Sequence, residues 1–308
     1  MYLEATMKVG YRFSNLVLLR YLARILSKMP FGDKMQLYIR KAEIEFASQS
    51  LIIKNLIDDF FSEYLEAGDR EIYQRMKFES RSQCRQDLII AMFSDWQRHG
   101  QVIEVGATDG IFLSNSYMLE VELGWDSVLV EPSRVWHKDL FINRPKAKIY
   151  VEAVASESGC NVGFTETEFA ELSGITNTLP SDYWARERQH SLQYQVRTIT
   201  LDEICKEQIS ADRFLAVTID IEGGELEAIY GFVDYLKLAQ VVLVENNGNL
   251  EKIKSLDNLF LADGRFSRVH WPFESFDSWY VSRNVLLMNK VLHQSLNEVE
   301  IISEPQSR

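Results

Sequence analysis

The stretch from Val102 to Gly110 constrains this chain most. Val102, Ile103 and Val105 make an apolar run, and Gly106 and Gly110 then stand four apart before a helical pattern opens near Ser114. Two glycines in such a turn let backbone approach a ligand where a Cβ would clash, and they aim the next helix's N–H groups at it. Taken alone, a tight turn with no ligand is the competing reading. The pattern repeats, however. Strands are predicted at 128–130, 149–154, 161–165, 194–199, 214–219 and 241–244. Helices are predicted over 114–123, with Ser114 as N-cap, 133–143, 201–207 and 224–236, and 265–270 pairs with 280–288 to close the sheet. Alternating strands and helices predict an α/β fold, a mostly parallel sheet with helices on both faces.

Residues 1–78 read differently, as an α-helical extension. Ser14 to Met29 is amphipathic and is broken by Pro30 and Gly32, and a long helix from Lys34 to Ala67 is expected to end at Gly68. Ile39, Phe46, Ile53 and Phe60 recur every seven residues, flanked by Ile57 and Tyr64, as one apolar stripe. That stripe suits docking on the chain's own catalytic domain, a helical hairpin that makes a homodimer, or a helix lying on a membrane surface. The expected organisation is the extension at 1–78, a catalytic domain at 79–296 and a flexible tail at 297–308. A long irregular loop, 166–192, is expected inside this domain, where such loops are usually functional or mobile.

Seven basic residues against Glu4 and Asp33 give residues 1–40 a balance of +5, so a net −12 leaves −17 on the remainder. An acidic body would repel a phosphate backbone, and no nucleic-acid partner is expected. The three cysteines, Cys84, Cys160 and Cys205, are scattered and show no metal-ligand spacing, which suits a reducing cytoplasm. No signal peptide and no apolar run long enough to span a bilayer is visible, so a soluble, cytoplasmic protein without a transmembrane segment is expected.

Glu131 lies 21 residues beyond Gly110 at the end of the second strand, with Pro132 behind it. An acid there can grip both hydroxyls of an adenosine ribose. A nicotinamide-dependent oxidoreductase uses the same acid, but its glycine fingerprint would need glycine where Thr108 stands. An adenosyl group bearing a cationic sulfonium has no phosphate to cradle and is better matched by carboxylates such as Glu104 and Asp109. A methyltransferase is therefore favoured over the oxidoreductase. A third motif, Asp220-Ile221-Glu222-Gly223-Gly224-Glu225, follows the strand 214–219 and should face the same crevice, with Glu245, Asn246 and Asn247 on its rim. Three acids in six residues repel one another unless a cation or proton offsets them.

These motifs, in this order, resemble the FkbM family of methyltransferases: Glu104 to Gly110, Ser114-Asn115, Leu119-Glu120, Gly124-Trp125, Glu131-Pro132, Asp220 to Glu225, and Glu245 to Asn247. Ser82 to Gln86-Asp87 resembles the polar motif preceding that family's core, and Thr108 stands where the family often has Asn. The resemblance covers about residues 80–290. It implies a class I methyltransferase (Rossmann-like) fold, S-adenosylmethionine as methyl donor, and O-methylation of a sugar, glycan or secondary metabolite. It also implies that Glu104, Gly106, Asp109, Gly110 and Glu131 bind the donor, that Gln86 and Asp87 close over it, and that Asp220, Glu222 and Glu225 lie near the transferring methyl. A non-catalytic scaffold of the same fold is the alternative from another class.

An aliphatic hydroxyl needs its proton removed before it can attack a methyl group, so a general base or metal ion is expected. Asp220 is the first choice of base. A divalent cation held by Asp220, Glu222 and Glu225 is the alternative, since hard cations prefer carboxylate oxygens. His137, His190 and His270 are rival bases, and Tyr183, Trp184, Trp271 and Trp279 are candidates to stack on a sugar ring.

Overall fold

The structure, a computed structural model, describes residues 51–167, 170–179, 191–273, 276–289 and 299–305. The helix predicted at 14–29, the first half of the 34–67 helix, His190, Tyr183 and Trp184 lie outside them.

The described chain opens with helices α1 (51–64), α2 (Ala67–Met76) and α3 (Gln86–Phe93). There follow β1 (Gln101–Val105), α4 (Tyr117–Leu123), β2 (Asp126–Val130), α5 (Arg134–Asn143), β3 (Lys148–Tyr150), β4 (Ala153–Val154), β5 (Asn161–Thr167), β6 (Gly174–Ile175) and β7 (Ser191–Ile199). The rest is α6 (Leu201–Gln208), β8 (Leu215–Ile219), α7 (Glu225–Tyr230), β9 (Val241–Glu245), α8 (Leu250–Phe260), β10 (Phe266–His270), β11 (Asp277–Ser282), α9 (Arg283–Met288) and β12 (Glu300–Ile302).

One eight-stranded sheet runs β12-β10-β11-β9-β8-β1-β2-β3. From β3 to β9 the pairs are parallel, and β11 enters antiparallel between β9 and β10. Every residue of β1 and β8 is buried, as a strand covered on both faces requires. Ile103, Val105, Val217 and Ile219 pack with Phe260 and Tyr280 in one cluster, while Val102, Ala216 and Leu243 pack with Phe93, Trp271 and Trp279 in another. Ile53, Ile57, Phe60, Phe61, Tyr73 and Met76 belong to that second cluster. The described half of the apolar stripe thus packs inside the same core as the sheet. Phe61 stands 5.6 Å from Trp271, ring to ring.

Several boundaries differ from expectation. The first long helix ends at 64 and Gly68 falls within the first turn of α2, where a Cβ would meet nothing within 4 Å. It is extended Glu66, not glycine, that breaks the helix. The single strand expected at 149–154 is two: β3 stays in the main sheet, while β4 starts a second sheet, β4-β7-β5-β6, which sequence reading did not anticipate. The helix expected over 224–236 stops at Tyr230, and the segment 283–288 is helix rather than strand, its Ser282 hydroxyl accepting from Val285 N. No helix was expected at 250–260, yet Asn249 caps α8 by accepting from Glu251 N and Lys252 N.

Candidate active site

The carboxyl ends of β1, β2, β8 and β9 carry the predicted acids. Asp220 N donates to Val105 O at 3.0 Å, and a Cβ on Gly106, whose φ is +92°, would lie 1.9 Å from the carbonyl oxygen of Asp220. Only glycine allows this approach, and it brings the turn after β1 against the turn after β8. Thr108 also takes a positive φ of 48°, uncommon for a β-branched residue and in keeping with a strained turn.

Glu131 is buried, with Thr108 N donating to Oε2 at 2.9 Å and Ser133 N to Oε1 at 2.8 Å. Burial raises its pKa to about 7 although both amides oppose the rise. A carboxylate has about four lone-pair positions, and these two amides occupy two of them. Asp109 Oδ1 accepts from Ile111 N and Phe112 N and so shapes the turn; Oδ2 takes no part in that turn. Gly110, φ +81°, packs its backbone on Leu140 and Arg144.

Glu104 departs from expectation. It is buried and accepts from Ser114 Oγ at 2.8 Å, Ser116 Oγ at 2.5 Å and Asn115 N at 2.6 Å. Desolvation raises its pKa, against the pull of Arg144 and these donors. The structure therefore shows Glu104 anchoring the entry to α4. Ser114 does cap that region as predicted, but from two residues upstream of the observed cap: its Oγ accepts from Ser116 N and Tyr117 N.

Gln86 and Asp87 are buried too. Asp87 Oδ1 accepts from Ser80 Oγ, Ser82 Oγ and Leu88 N, fixing the 80–82 segment, and Ser82 bridges to Leu113 beside the turn. Gln86 Nε2 donates to Asp277 Oδ2 at 3.0 Å. Asp87 is thus held by its own segment, while Gln86 reaches the second carboxylate group.

That group centres on Asp220, Glu222, Glu225, Glu245 and Asp277. Glu225 is fully buried, accepts from Gly223 N at 2.9 Å and pairs with Lys252 Nζ at 2.7 Å. The ammonium's aligned hydrogen bond goes to Glu245 O at 3.0 Å, so Lys252 joins α7 to the end of β9. Lys252 is the cation that three neighbouring acids demanded, and sequence reading missed it because its helix was not foreseen. Glu245 Oε2 is buried with no hydrogen-bond partner among the described residues. Burial, then the charges of Asp220, Glu222 and Glu225, raise its pKa well above the ordinary carboxylate range. Asp220 is raised to about 7 by its dense surroundings and by Asp277 and Glu225, with Lys252 opposing. Its side chain remains open to the crevice, so solvent moderates the burial effect and charge crowding is the firmer cause.

Asp220, Glu222 and Glu225 do not form a metal-holding group: among the described residues no three His, Cys, Asp or Glu side chains are so arranged. Glu225 is turned to Lys252 instead. Trp271 and Trp279 are core residues, not stacking platforms. His137 Nε2 donates to Glu131 O at 2.9 Å, and His270 sits at the end of β10, three strands from Asp220 in the sheet order. Neither histidine is placed as the base.

A parallel sheet whose strand ends gather acids around a glycine turn, with an antiparallel strand near one edge, defines a class I methyltransferase fold. The profile of the methyltransferase FkbM domain matches residues 104–277, more than half of the sequence, and the chain belongs to the FkbM methyltransferase family. Among solved structures it is similar to a methyltransferase FkbM from Methylobacillus flagellatus, at 14% identity and TM-score 0.40, over 87% of this chain and 60% of that one. It is also similar to a proposed RNA methyltransferase from Pyrococcus horikoshii (10%, TM-score 0.32, over 64% and 83%). A Thermoplasma acidophilum protein matches at 10% identity, TM-score 0.34, over 70% and 97%. The chain thus spans 60% of the length of the first of these. No curated protein matches it.

Proposed function

We propose that this chain is an S-adenosylmethionine-dependent O-methyltransferase acting on a hydroxyl of a sugar, glycan or secondary metabolite. The observation that supports the reading is the close approach of Gly106 to Asp220, which brings the turn hydrogen-bonded to Glu131 against the turn that carries Asp220. Glu131 would take the ribose hydroxyls on its two remaining acceptor sites, and Gly106 to Gly110 would face the adenosyl group with Asp109 at its flank. S-adenosylmethionine supplies a methyl carbon made electrophilic by its sulfonium. Asp220 accepts the proton of the attacking hydroxyl, and its pKa near 7 suits a base working near neutrality. Lys252 pairs with Glu225 and offsets part of the negative charge around Asp220. A divalent cation is not part of this proposal, since Glu225 is already committed.

A cytoplasmic setting fits three free cysteines, two of them buried. Among the described residues no helix is long and apolar enough to cross a membrane. Residues 51–76 form a helical buttress to the catalytic unit, which extends past the expected 79–296 because β12, inside the stretch read as a flexible tail, pairs with β10. No dimer contact is assigned to the apolar face of 51–76 because it is buried internally.

Calorimetric titration with S-adenosylhomocysteine tests the donor site. Wild type should bind, and Glu131→Gln, which keeps the size of the side chain but not its charge, should bind about tenfold or more weakly, as expected for hydrogen bonds to a charged acceptor. Folded wild type that does not bind would sink the donor reading and bring the scaffold forward.

A further inference from the structure

Arg144 is the C-cap residue of α5, was singled out by no motif, and is 1% exposed. Its guanidinium has five donors in a planar fork. Nη1 donates to Gly110 O at 2.9 Å and to Ser114 Oγ at 3.4 Å. Nη2 donates to Glu120 Oε2 at 2.6 Å, Ser127 Oγ at 3.0 Å and Ser116 Oγ at 3.1 Å, and Nε donates to Glu120 Oε2 at 3.1 Å. Its stem fills the space beside Gly110, where a Cβ would come within 2.5 Å of Arg144 Cγ.

Ser114 and Ser116 each stand between two charges. Their hydroxyls donate to Glu104 and accept from Arg144. A continuous chain of hydrogen bonds therefore runs from Glu104 through the serines to Arg144 and Glu120, alternating in sign. It joins the 104–116 segment to α5, the helix that begins just after Glu131.

We propose that Arg144 is the positioning residue of the donor site: it fixes the 106–116 turn against the helix that follows Glu131, so that turn and acid present one rigid surface to the donor. The proposal rests on the donor reading above. A lysine cannot take over, because one ammonium nitrogen cannot span Gly110 O, Ser127 and Glu120 together. A loosened turn costs affinity because a displacement of about 1 Å in a binding constellation can cost about 100-fold.

The test uses the full chain carrying Arg144→Lys, with amide hydrogen exchange measured without ligand and S-adenosylhomocysteine titrated calorimetrically. Exchange across 106–116 should speed up about tenfold or more while β8 and β9 exchange as in wild type, and binding should weaken about 10- to 100-fold. Unchanged exchange across 106–116 would overturn the proposal whatever the ligand does, and so would wild-type affinity in R144K. Wild type that binds no S-adenosylhomocysteine defeats the donor reading and the affinity arm, while exchange still decides whether Arg144 holds the turn. Should R144K not fold, Glu120→Gln replaces it: a smaller change in the same direction is expected, and none would overturn the proposal.

Discussion

The carboxylates on the two sides of the crevice live under different rules. Around β1 and β2, Glu104, Asp109 and Glu131 each accept two or three backbone N–H or serine O–H donors, and Arg144 stands behind them. Around β8 and β9, Asp220 and Glu245 are crowded by other acids, Glu245 leaves a buried oxygen without a hydrogen-bond partner among the described residues, and one lysine serves the group. The first arrangement is held by hydrogen bonds from its own turns. The second stores electrostatic tension and holds a carboxylate near the point of taking up a proton. A donor with fixed shape suits the former, and proton transfer suits the latter.

The largest expected effect breaks the second side. Asp220→Asn should lower the rate of methyl transfer to an accepted sugar hydroxyl by about 10²- to 10⁴-fold while S-adenosylhomocysteine binds as before. Wild-type turnover should rise with pH through about 7, as Asp220 loses its proton, and the variant should lose that rise. Stability carries an opposite sign. A carboxyl whose folded pKa is raised binds more protons folded than unfolded, so this group's contribution weakens as pH climbs from about 4 to about 7. Asp220→Asn should flatten that decline in urea midpoints. A mutant that keeps the turnover profile would remove Asp220 as base.

Next in size is Lys252→Met. Glu225 would then be buried with Gly223 N as its donor, and breaking such a pair from one side costs about 3–5 kcal/mol. Chemical denaturation should show the loss, and Glu225→Gln in the same chain should restore much of it by removing the unpaired charge. Because Lys252 holds down the pKa values of Asp220 and Glu245, the turnover profile of Lys252→Met should also move to higher pH. A profile that stays in place would detach Lys252 from the acid group.

The two sides also differed in how far the sequence disclosed them. Gly106, Glu131 and Asp220 were readable because each sits at the end of an apolar strand, and the parallel sheet puts those ends together. What could not be read was direction. Glu104 has the composition of a ligand-facing acid, yet it turns to Ser114 and Ser116, and only a three-dimensional arrangement shows that choice. Lys252 and Arg144 escaped because they come from helices whose partners lie 27 and up to 34 residues away. Of strands β4 to β7, β6 lay unseen inside the loop expected at 166–192, and short runs carry no mark of which sheet they join, so β4 was merged with β3.

The smallest expected effect sharpens the first side. Ser116→Ala removes one of three donors from Glu104 and one acceptor from Arg144, and a hydrogen bond to a charged group contributes about 1.5–3 kcal/mol. The hydroxyl favours the ionised form of Glu104, whose pKa burial raises. Its loss should therefore destabilise the chain more at alkaline pH, where Glu104 is charged in both proteins, than in acid, where it is protonated in both. Urea midpoints of wild type and Ser116→Ala at the two extremes give the comparison. A gap that widens with pH means that Ser116 serves an ionised Glu104 and that the rigid side is held by charge. A gap independent of pH would mean that the serine matters for its shape and its bond to Arg144 alone, and the alternating chain from Glu104 to Glu120 would lose its first link.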